Sequence, residues 1–288
     1  MHLTSISHTK HLILSLFFVL QPFSIMQAQA WVLDAGFEDG TVGQKADGDD
    51  AFYGRGYKST LYSAKQSRSG KQSAVSTIRE GHDGFSEWGG VWSLPKQLGE
   101  GDEFWYRVWV FYPNGFSFNC KGCSEGIKFM RTRTQAQSGE FEGSWDYYIR
   151  NDGPLMATGV NSKTFYSNVP SDERRGIGEP VTTGTWHAYE HYIKFSSTPG
   201  KGVIRAWQDG KLIFEHTATA TLKSSTSVVR DASIWTYWNN LAPTTQSAYF
   251  DDVVMTNERP SNTDEHGNPY IGTDDIEFLS PPNPPSLK

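Results

Sequence analysis

The stretch that decides the fold is WHAYEHYIKFSSTPGKGVIRAWQDGKL, from Trp186 to Leu212. Two segments of alternating apolar and polar residues flank a Pro-Gly-Lys-Gly turn, and the second segment ends in Asp-Gly. A period of two is typical of β-strands, and turns of this composition join antiparallel neighbours. The stretch therefore predicts an antiparallel meander, with Arg205 and Trp207 on one face of the strand Val203–Asp209.

The rest of the chain alternates short aromatic or β-branched runs with clusters of Gly, Asn, Asp, Ser and Pro, and it shows no long helical pattern. Regularly spaced strands predict an all-β fold, a single β-jelly-roll sandwich of two antiparallel sheets. The candidate strands are Ser73–Arg79, Phe104–Tyr112, Gly126–Thr134, Trp145–Arg150, Trp186–Phe195, Val203–Asp209, Lys211–Glu215, Ala232–Trp238 and Ala248–Thr256.

The N-terminus has the composition of an export signal. An apolar run from Leu12 to Met26 follows Lys10, and the small-residue sequence Ala-Gln-Ala ends at Ala30. We expect cleavage after Ala30 and a secreted or periplasmic protein without a membrane span, because no run of about twenty apolar residues follows.

We divide the chain into a signal peptide at 1–30, one jelly-roll domain at 31–260, and a C-terminal extension at 261–288 with a Pro-rich tail. The formal net charge of −6 argues against a nucleic-acid partner. We expect a monomer. The two cysteines, Cys120 and Cys123, lie in Cys-Lys-Gly-Cys, which in an exported protein favours a small-loop disulfide over free thiols.

Two strands carry cations with a candidate role in binding or catalysis. Trp105, Arg107 and Trp109 share one face of their strand, where they can bind a sugar ring and its carboxylate. The alternative is a structural arginine between packed tryptophans. In the next strand, Lys128 is a candidate base, since partial burial lowers the pKa of an amine; the alternative is a solvated surface lysine. Alternation places Arg131, like Arg133, out of phase with Lys128.

Three further strands contribute candidate substrate ligands. Tyr148 and Arg150 share a face that we expect to contact the ligand, and Glu190 and Tyr192 share a face of the strand that begins at Trp186. His191 can act as a base or simply as a structural hydrogen-bonding residue. Aromatic and amide side chains that can bind sugars also alternate near the end of the chain, namely Trp235, Tyr237 and Asn239.

Acidic residues near both ends of the domain suggest a metal. Glu38 lies near the mature N-terminus, and Asp251 and Asp252 lie in the last strand. The terminal strands of a jelly roll commonly lie side by side, so these oxygens can hold a structural Ca²⁺; the alternative is ordinary turn and edge acids. We expect no cofactor for the chemistry itself.

The balance of cations, tyrosines and few carboxylates bears on the reaction. Glycoside hydrolysis needs two opposed carboxyl groups, and no strand offers them at same-face spacing in the cleft. β-Elimination from a uronic acid polymer needs a cation beside the carboxylate, a base for the C5 proton and an acid for the leaving oxygen. Arg or Lys together with Tyr fits those tasks.

The motifs Phe-Tyr-Pro-Asn-Gly-Phe, Gly-Ile-Lys-Phe-Met-Arg, Trp-His-x-Tyr-Glu, Gly-Val-Ile-Arg-Ala-Trp-x-Asp-Gly and Tyr-Phe-Asp-Asp-Val lie between Phe37 and Val254. In this combination the chain resembles the exported concanavalin A-like jelly-roll polysaccharide lyases, a group that contains heparin lyase I-type, alginate and glucuronan lyases. The resemblance implies catalytic roles for Lys128, Tyr148 and Tyr192, with Arg150 binding a carboxylate.

Together these observations predict a secreted lyase that cleaves an acidic polysaccharide, such as alginate or glucuronan, by β-elimination. Lys128 or Tyr192 is the expected base, and Tyr148 the expected acid. Two alternatives stay open: a non-catalytic, lectin-like carbohydrate-binding protein, and a glycoside hydrolase on the same sandwich.

Overall fold

The computed structural model describes residues 30–54, 60–84, 88–119, 125–150, 155–161 and 178–274, with the backbone alone over 155–161. The leader to residue 29, both cysteines and the Pro-rich tail lie outside the described residues. The predicted cleavage and disulfide therefore stay predictions. In the part that the structure describes, no helix has the length and apolar character needed to cross a membrane.

Fourteen strands make up nearly all the regular structure of the described residues. They are β1 (Val32–Ala35), β2 (Phe52–Gly54), β3 (Thr60–Ser63), β4 (Ser73–Ile78), β5 (Gly90–Leu98), β6 (Glu103–Phe111), β7 (Glu125–Gln135), β8 (Phe141–Arg150), β9 (Leu155–Asn161), β10 (Trp186–Lys194), β11 (Gly202–Gln208), β12 (Lys211–Thr219), β13 (Val228–Trp238) and β14 (Gln246–Thr256). A single 3₁₀ turn at Asp49–Ala51 precedes β2.

The strands form two antiparallel sheets. The eight-stranded sheet has the order β12-β11-β10-β6-β14-β4-β3, with β1 paired to β14, and the six-stranded sheet has the order β2-β5-β13-β7-β8-β9. Strands distant in sequence, such as β6 and β14, are direct neighbours. The predicted all-β jelly-roll sandwich is confirmed.

The meander predicted from Trp186 to Leu212 is confirmed as β10, β11 and the start of β12. Asp209 closes its second hairpin with a left-handed φ of 50°. One carboxylate oxygen of Asp209 lies 2.7 Å from Nδ1 of His187, and the other accepts the backbone N–H of Ala188 at 2.9 Å. The carboxylate therefore ties the hairpin turn to the start of β10.

The core lies between the sheets because each strand directs its more apolar side inward. On β6, Phe104, Tyr106, Val108 and Val110 are all fully buried. Across the sandwich, the ring of Phe129 on β7 lies 4.9 Å from that of Tyr189 on β10, edge to face. Large aromatic side chains fill the rest of the core, among them Trp88, Trp92, Trp235 and Trp238.

A second, smaller apolar cluster lies on the other side of the eight-stranded sheet. It contains Trp105, Tyr192, Trp207 and Val254 from the strands, and Ile271 from the segment that follows β14. Residues 257–274 run across this outer surface and cover it. One of the two outer faces is therefore occupied by the protein's own C-terminal segment.

Candidate functional site

The other outer face, on the six-stranded sheet, brings together several of the predicted site residues. Lys128 on β7 is in register with Tyr148 on β8 and with Tyr237 on β13. The neighbours of these residues in sequence, such as Ile127 and Trp238, are buried in the core. We call the surface formed by Lys128, Arg131, Tyr148, Arg150 and Tyr237 the Lys128 face.

The Lys128 ammonium lies between two aromatic rings. Its Nζ is 4.8 Å from the ring centroid of Tyr237 and 5.8 Å from that of Tyr148. Burial lowers the pKa of Lys128 below its ordinary value; the Asp146 carboxylate opposes this shift, and the Arg131 guanidinium adds to it. Because a lysine must be neutral to accept a proton, this environment favours Lys128 as a base.

Arg131 belongs to the Lys128 face, contrary to the prediction from alternation. A β-bulge between Lys128 and Met130 inserts one residue, so that Lys128 and Arg131 point to the same side although they are three residues apart. Arg131 makes a bidentate ion pair with Asp146, with Nε–Oδ1 and Nη2–Oδ2 distances of 2.8 and 2.5 Å. No Gly or Pro at this point in the sequence signals the bulge.

The alternation of β8 is regular from Trp145 to Arg150, and the predicted placement of Tyr148 and Arg150 on one face is what the structure shows. Trp145, Tyr147 and Ile149 point into the core. Tyr148 is mostly buried, and Arg150, at the end of the strand, is half-buried. The Lys128 face therefore holds a phenol and a second guanidinium beside the lysine.

Of the three residues predicted near the end of β13, Tyr237 has its side chain on the Lys128 face, and Trp235 does not. A second bulge lies between Ile234 and Tyr237, and Trp235 there has a left-handed φ of 46°. The bulge turns Trp235 into the core, where its Nε1 donates to the hydroxyl of Tyr112 at 2.9 Å. Asn239 follows the strand, and its backbone N–H donates to the carbonyl of Gly126 at 2.9 Å.

The platform predicted on β6 lies on the opposite outer face, beneath the C-terminal segment. Arg107 is 5% exposed and donates from Nη1 to the carbonyls of Gly272 and Asp274, both at 3.0 Å. Trp105 is fully buried and donates to the carbonyl of Pro269 at 3.0 Å. The sequence-based alternative, a structural arginine between packed tryptophans, describes this arrangement.

Trp109 lies on the same outer face as Arg107. Its ring is covered by the Arg68 guanidinium, whose Cζ is 4.4 Å from the ring centroid. The prediction that the β6 tryptophans share a ligand-binding surface with Lys128 is corrected by these contacts, because the whole sandwich separates the two sides.

Glu190 and Tyr192 also lie beneath or beside the C-terminal segment. The carboxylate of Glu190 accepts the backbone N–H groups of Ile271 and Gly272 at 2.7 and 3.0 Å, and burial raises its pKa to about 7. The hydroxyl of Tyr192 donates to Glu103 at 2.9 Å. Neither side chain reaches the Lys128 face, so Tyr192 is not placed to act as its base.

His191 connects the two sheets inside the core. Its Nε2 lies 2.9 Å from Oγ1 of Thr132 on β7, and the side chain has no exposed surface. Burial lowers its pKa to about 3, so the imidazole is neutral at physiological pH. Of the two roles considered from the sequence, this is the structural hydrogen-bonding one.

The carboxylates of the three predicted calcium ligands bind other groups of the protein, and two of them accept hydrogen bonds from backbone N–H groups. Glu38 accepts the N–H groups of Lys71 and Gln72, at 2.9 and 3.0 Å. Asp251 accepts those of Arg68 and Asp252, and burial raises its pKa to about 8.

Asp252 itself accepts from the hydroxyl of Ser69 at 2.7 Å and lies near the guanidinium of Arg68. Within the ranges that the structure describes, no three His, Cys, Asp or Glu side chains are grouped to hold a metal ion. These carboxylates therefore do not fit a shared Ca²⁺ site, and calcium binding as such remains a prediction.

The Lys128 face has the groups for proton abstraction beside a carboxylate. Lys128 can accept a proton, Tyr148 and Tyr237 can donate one, and the guanidinium of Arg150 can bind an anion. Asp146, the carboxylate nearest to Lys128 on this face, is already paired with Arg131. The face thus offers no pair of available carboxyl groups among its described residues, which hydrolysis of a glycoside by the two-carboxylate route would need.

Comparison with known proteins agrees with this chemistry. The model of the family described as "Polysaccharide lyase" matches residues 40–254. No curated protein is significantly similar in sequence.

Several solved structures share the fold. Alginate lyase Aly36B superposes with a TM-score of 0.57 at 14% identity, covering 78% of this chain and 96% of that one. The endo-β-1,4-glucuronan lyase of the fungus Trichoderma reesei gives 0.53 at 14% identity, with coverages of 78% and 94%. The marine PL-14 alginate lyase of Aplysia kurodai gives 0.57 at 14% identity, with coverages of 78% and 97%. At these identities, the similarity shows the fold alone.

Proposed function

The chain belongs to the polysaccharide lyase family, and we propose that it cleaves a uronic-acid-containing polysaccharide by β-elimination on the Lys128 face. The observation that carries this proposal is the position of the Lys128 ammonium, partly buried between the rings of Tyr148 and Tyr237. Alginate and glucuronan are the first substrates to test, because the solved structures that share the fold are named as lyases of these polymers.

In the proposed mechanism, the uronate carboxylate lies against Arg150, whose positive charge stabilises the anion that develops when C5 loses its proton. Lys128 in its neutral form accepts that proton. The C4–O bond then breaks, the departing oxygen takes a proton from the Tyr148 hydroxyl, and a C4–C5 double bond remains. Arg131 helps to keep Lys128 neutral through its positive charge.

Export is part of the proposal and is supported by the leader. The apolar run from Leu12 to Met26 and the Ala-Gln-Ala sequence ending at Ala30 are typical of a cleaved signal. A secreted or periplasmic location suits a protein whose substrate is a large extracellular polymer.

The experiment is a screen of alginate, glucuronan and heparin, with a neutral glucan as control, followed by absorbance near the unsaturated-uronate band. The proposal expects absorbance to rise with at least one acidic polymer and not with the glucan. New reducing ends without absorbance would indicate hydrolysis, and binding without any product would indicate a lectin. Either of those results would contradict the proposal.

A further inference from the structure

An exposed tyrosine lies on the same face of the six-stranded sheet as Lys128, far from the proposed reaction. Tyr53 is on β2, the edge strand, and it is 52% exposed. Its neighbour Phe52 is fully buried and contacts Trp92 in the core, so alternation directs Tyr53 outward. Among the described residues, it is the one aromatic side chain in the set of exposed large hydrophobic residues, which otherwise holds Val32, Val42 and Leu241.

The register of the sheet places Tyr53 in a row that leads to the Lys128 face. Tyr53 pairs with Val91, Val91 with Ser233, and Ser233 with Arg131. Paired residues in adjacent strands project to the same side of a sheet. Val91 is half-buried and Ser233 is buried, so neither short side chain projects above the sheet between Tyr53 and Arg131.

The distance between Tyr53 and the Lys128 face corresponds to several sugar units. Three strand spacings of about 4.8 Å lie between β2 and β7, which places Tyr53 roughly 14 Å from Arg131 across the sheet. A hexopyranose unit is about as long as one strand spacing, so a chain that crosses the strands needs about three units to pass from Arg131 to Tyr53, and more than three to reach Tyr53 from Lys128, which lies farther along β7.

We propose that Tyr53 is a distal sugar-binding residue, which stacks on the apolar face of a polysaccharide unit remote from the cleaved bond and makes the protein prefer long chains. This inference rests on the proposed function. An aromatic ring that is half exposed on an edge strand contributes little to the core, whereas it offers a rigid apolar surface to a pyranose ring. The stacking contact is the same in the bound ground state and in the transition state, so it strengthens binding without accelerating the chemical step.

The test compares Tyr53→Ala, Tyr53→Phe and wild type on the polymer and on a trisaccharide cut from it. For Tyr53→Ala, we expect kcat/KM on the polymer to fall about five- to tenfold through a higher KM, with kcat unchanged, as for the loss of one stacking contact. On the trisaccharide, which cannot span from Lys128 to Tyr53, we expect no change. Tyr53→Phe keeps the ring and should behave as wild type.

Val42→Ala, which truncates another exposed apolar residue, is the matched control and should change neither substrate's kinetics. Equal kinetics of Tyr53→Ala and wild type on the polymer would overturn the inference, as would an equal loss on both substrates.

Retention in an acidic-polymer affinity gel separates the two proposals. If wild type is retained but inactive, the proposed function fails; weaker retention of Tyr53→Ala then still supports the binding role, and equal retention overturns it.

Discussion

Lys128 owes its expected reactivity to three neighbours. The rings of Tyr148 and Tyr237 remove water from the ammonium, and Arg131 adds positive charge, so the neutral amine is favoured. Asp146 acts in the opposite direction and keeps Arg131 in place through the bidentate ion pair. The lysine can therefore lose its proton at a lower pH than a solvated lysine does.

Asp146→Asn tests this electrostatic balance. Since the base must be neutral, kcat/KM should rise with pH to a plateau, and the midpoint of that rise follows the pKa of Lys128. The Asp146 carboxylate raises this pKa, so its removal should move the rise to lower pH. The measurement is kcat/KM against pH for wild type and variant.

Asp231→Asn is the matched control, because Asp231 pairs with Arg133 on the same face and is not among the charges that shift the pKa of Lys128. It should leave the pH profile in place. If the midpoint of the rise in kcat/KM for Asp146→Asn stays at the wild-type pH, or moves to higher pH, Lys128 is not the group that titrates.

At the residue scale, alternation was sufficient for Tyr148 and Arg150, which lie on a regular strand. It failed for Arg131 and Trp235, because each follows or lies in a bulge that changes the phase. It also could not say which outer face a residue occupies. Arg107 and Lys128 look alike in sequence, and only the pairing of distant strands places them on opposite sides.

At the scale of strands, the predictions succeeded where aromatic and β-branched residues alternate over six or more positions, as in β6, β10 and β14. The strand β5 was missed because Pro95 interrupts its pattern. The strands β1, β2 and β3 have only three or four residues, too few for a period to be recognised. These short strands lie at or near sheet edges, and β2 carries Tyr53.

His191 joins β10 to β7, and its burial predicts a pH-dependent stability. Its pKa is about 3 in the folded protein and 6.5 ordinarily, so the unfolded chain takes up the proton first as pH falls. Its contribution should therefore be present above pH 6.5 and be lost toward pH 3, at up to about 1.4 kcal/mol per pH unit. The measurement is the free energy of unfolding in urea from pH 7 to pH 4.

His191→Gln removes the titrating group and should flatten this dependence relative to wild type, although the variant is less stable at neutral pH. His266→Gln, at an exposed position, should leave the dependence as in wild type. An equally steep loss of stability in His191→Gln would show that other groups cause it.

At the scale of the whole molecule, the two outer faces have different roles. The eight-stranded sheet is covered by residues 257–274, held by the Glu190 carboxylate, the Arg107 guanidinium and the apolar contacts of Ile271. The six-stranded sheet carries the Lys128 face. The sequence predicted an extension at 261–288, but it could not show that residues 261–274 of this extension dock on the domain.

Ile271→Ala tests the division between the faces. The side chain is fully buried, so we expect the free energy of unfolding to fall by about 2–4 kcal/mol. Because the site lies across the sandwich, kcat/KM of the folded protein should stay within about twofold of wild type. Unfolding in denaturant and kinetics on the polymer, measured on the same preparation, give the free energy of unfolding and kcat/KM. A large loss of kcat/KM in fully folded Ile271→Ala would contradict the separation of the two outer faces.

The most direct test of the central claim, that elimination takes place on the Lys128 face, is the rate of unsaturated-product formation by Lys128→Ala beside Tyr192→Phe. Each variant removes one of the two residues, Lys128 and Tyr192, that the sequence named as the expected base. We predict that Lys128→Ala loses at least about 100-fold in kcat while still binding the polymer, and that Tyr192→Phe stays within about threefold of wild type. A Lys128→Ala protein that turns over normally, or a Tyr192→Phe protein that does not, would contradict the account.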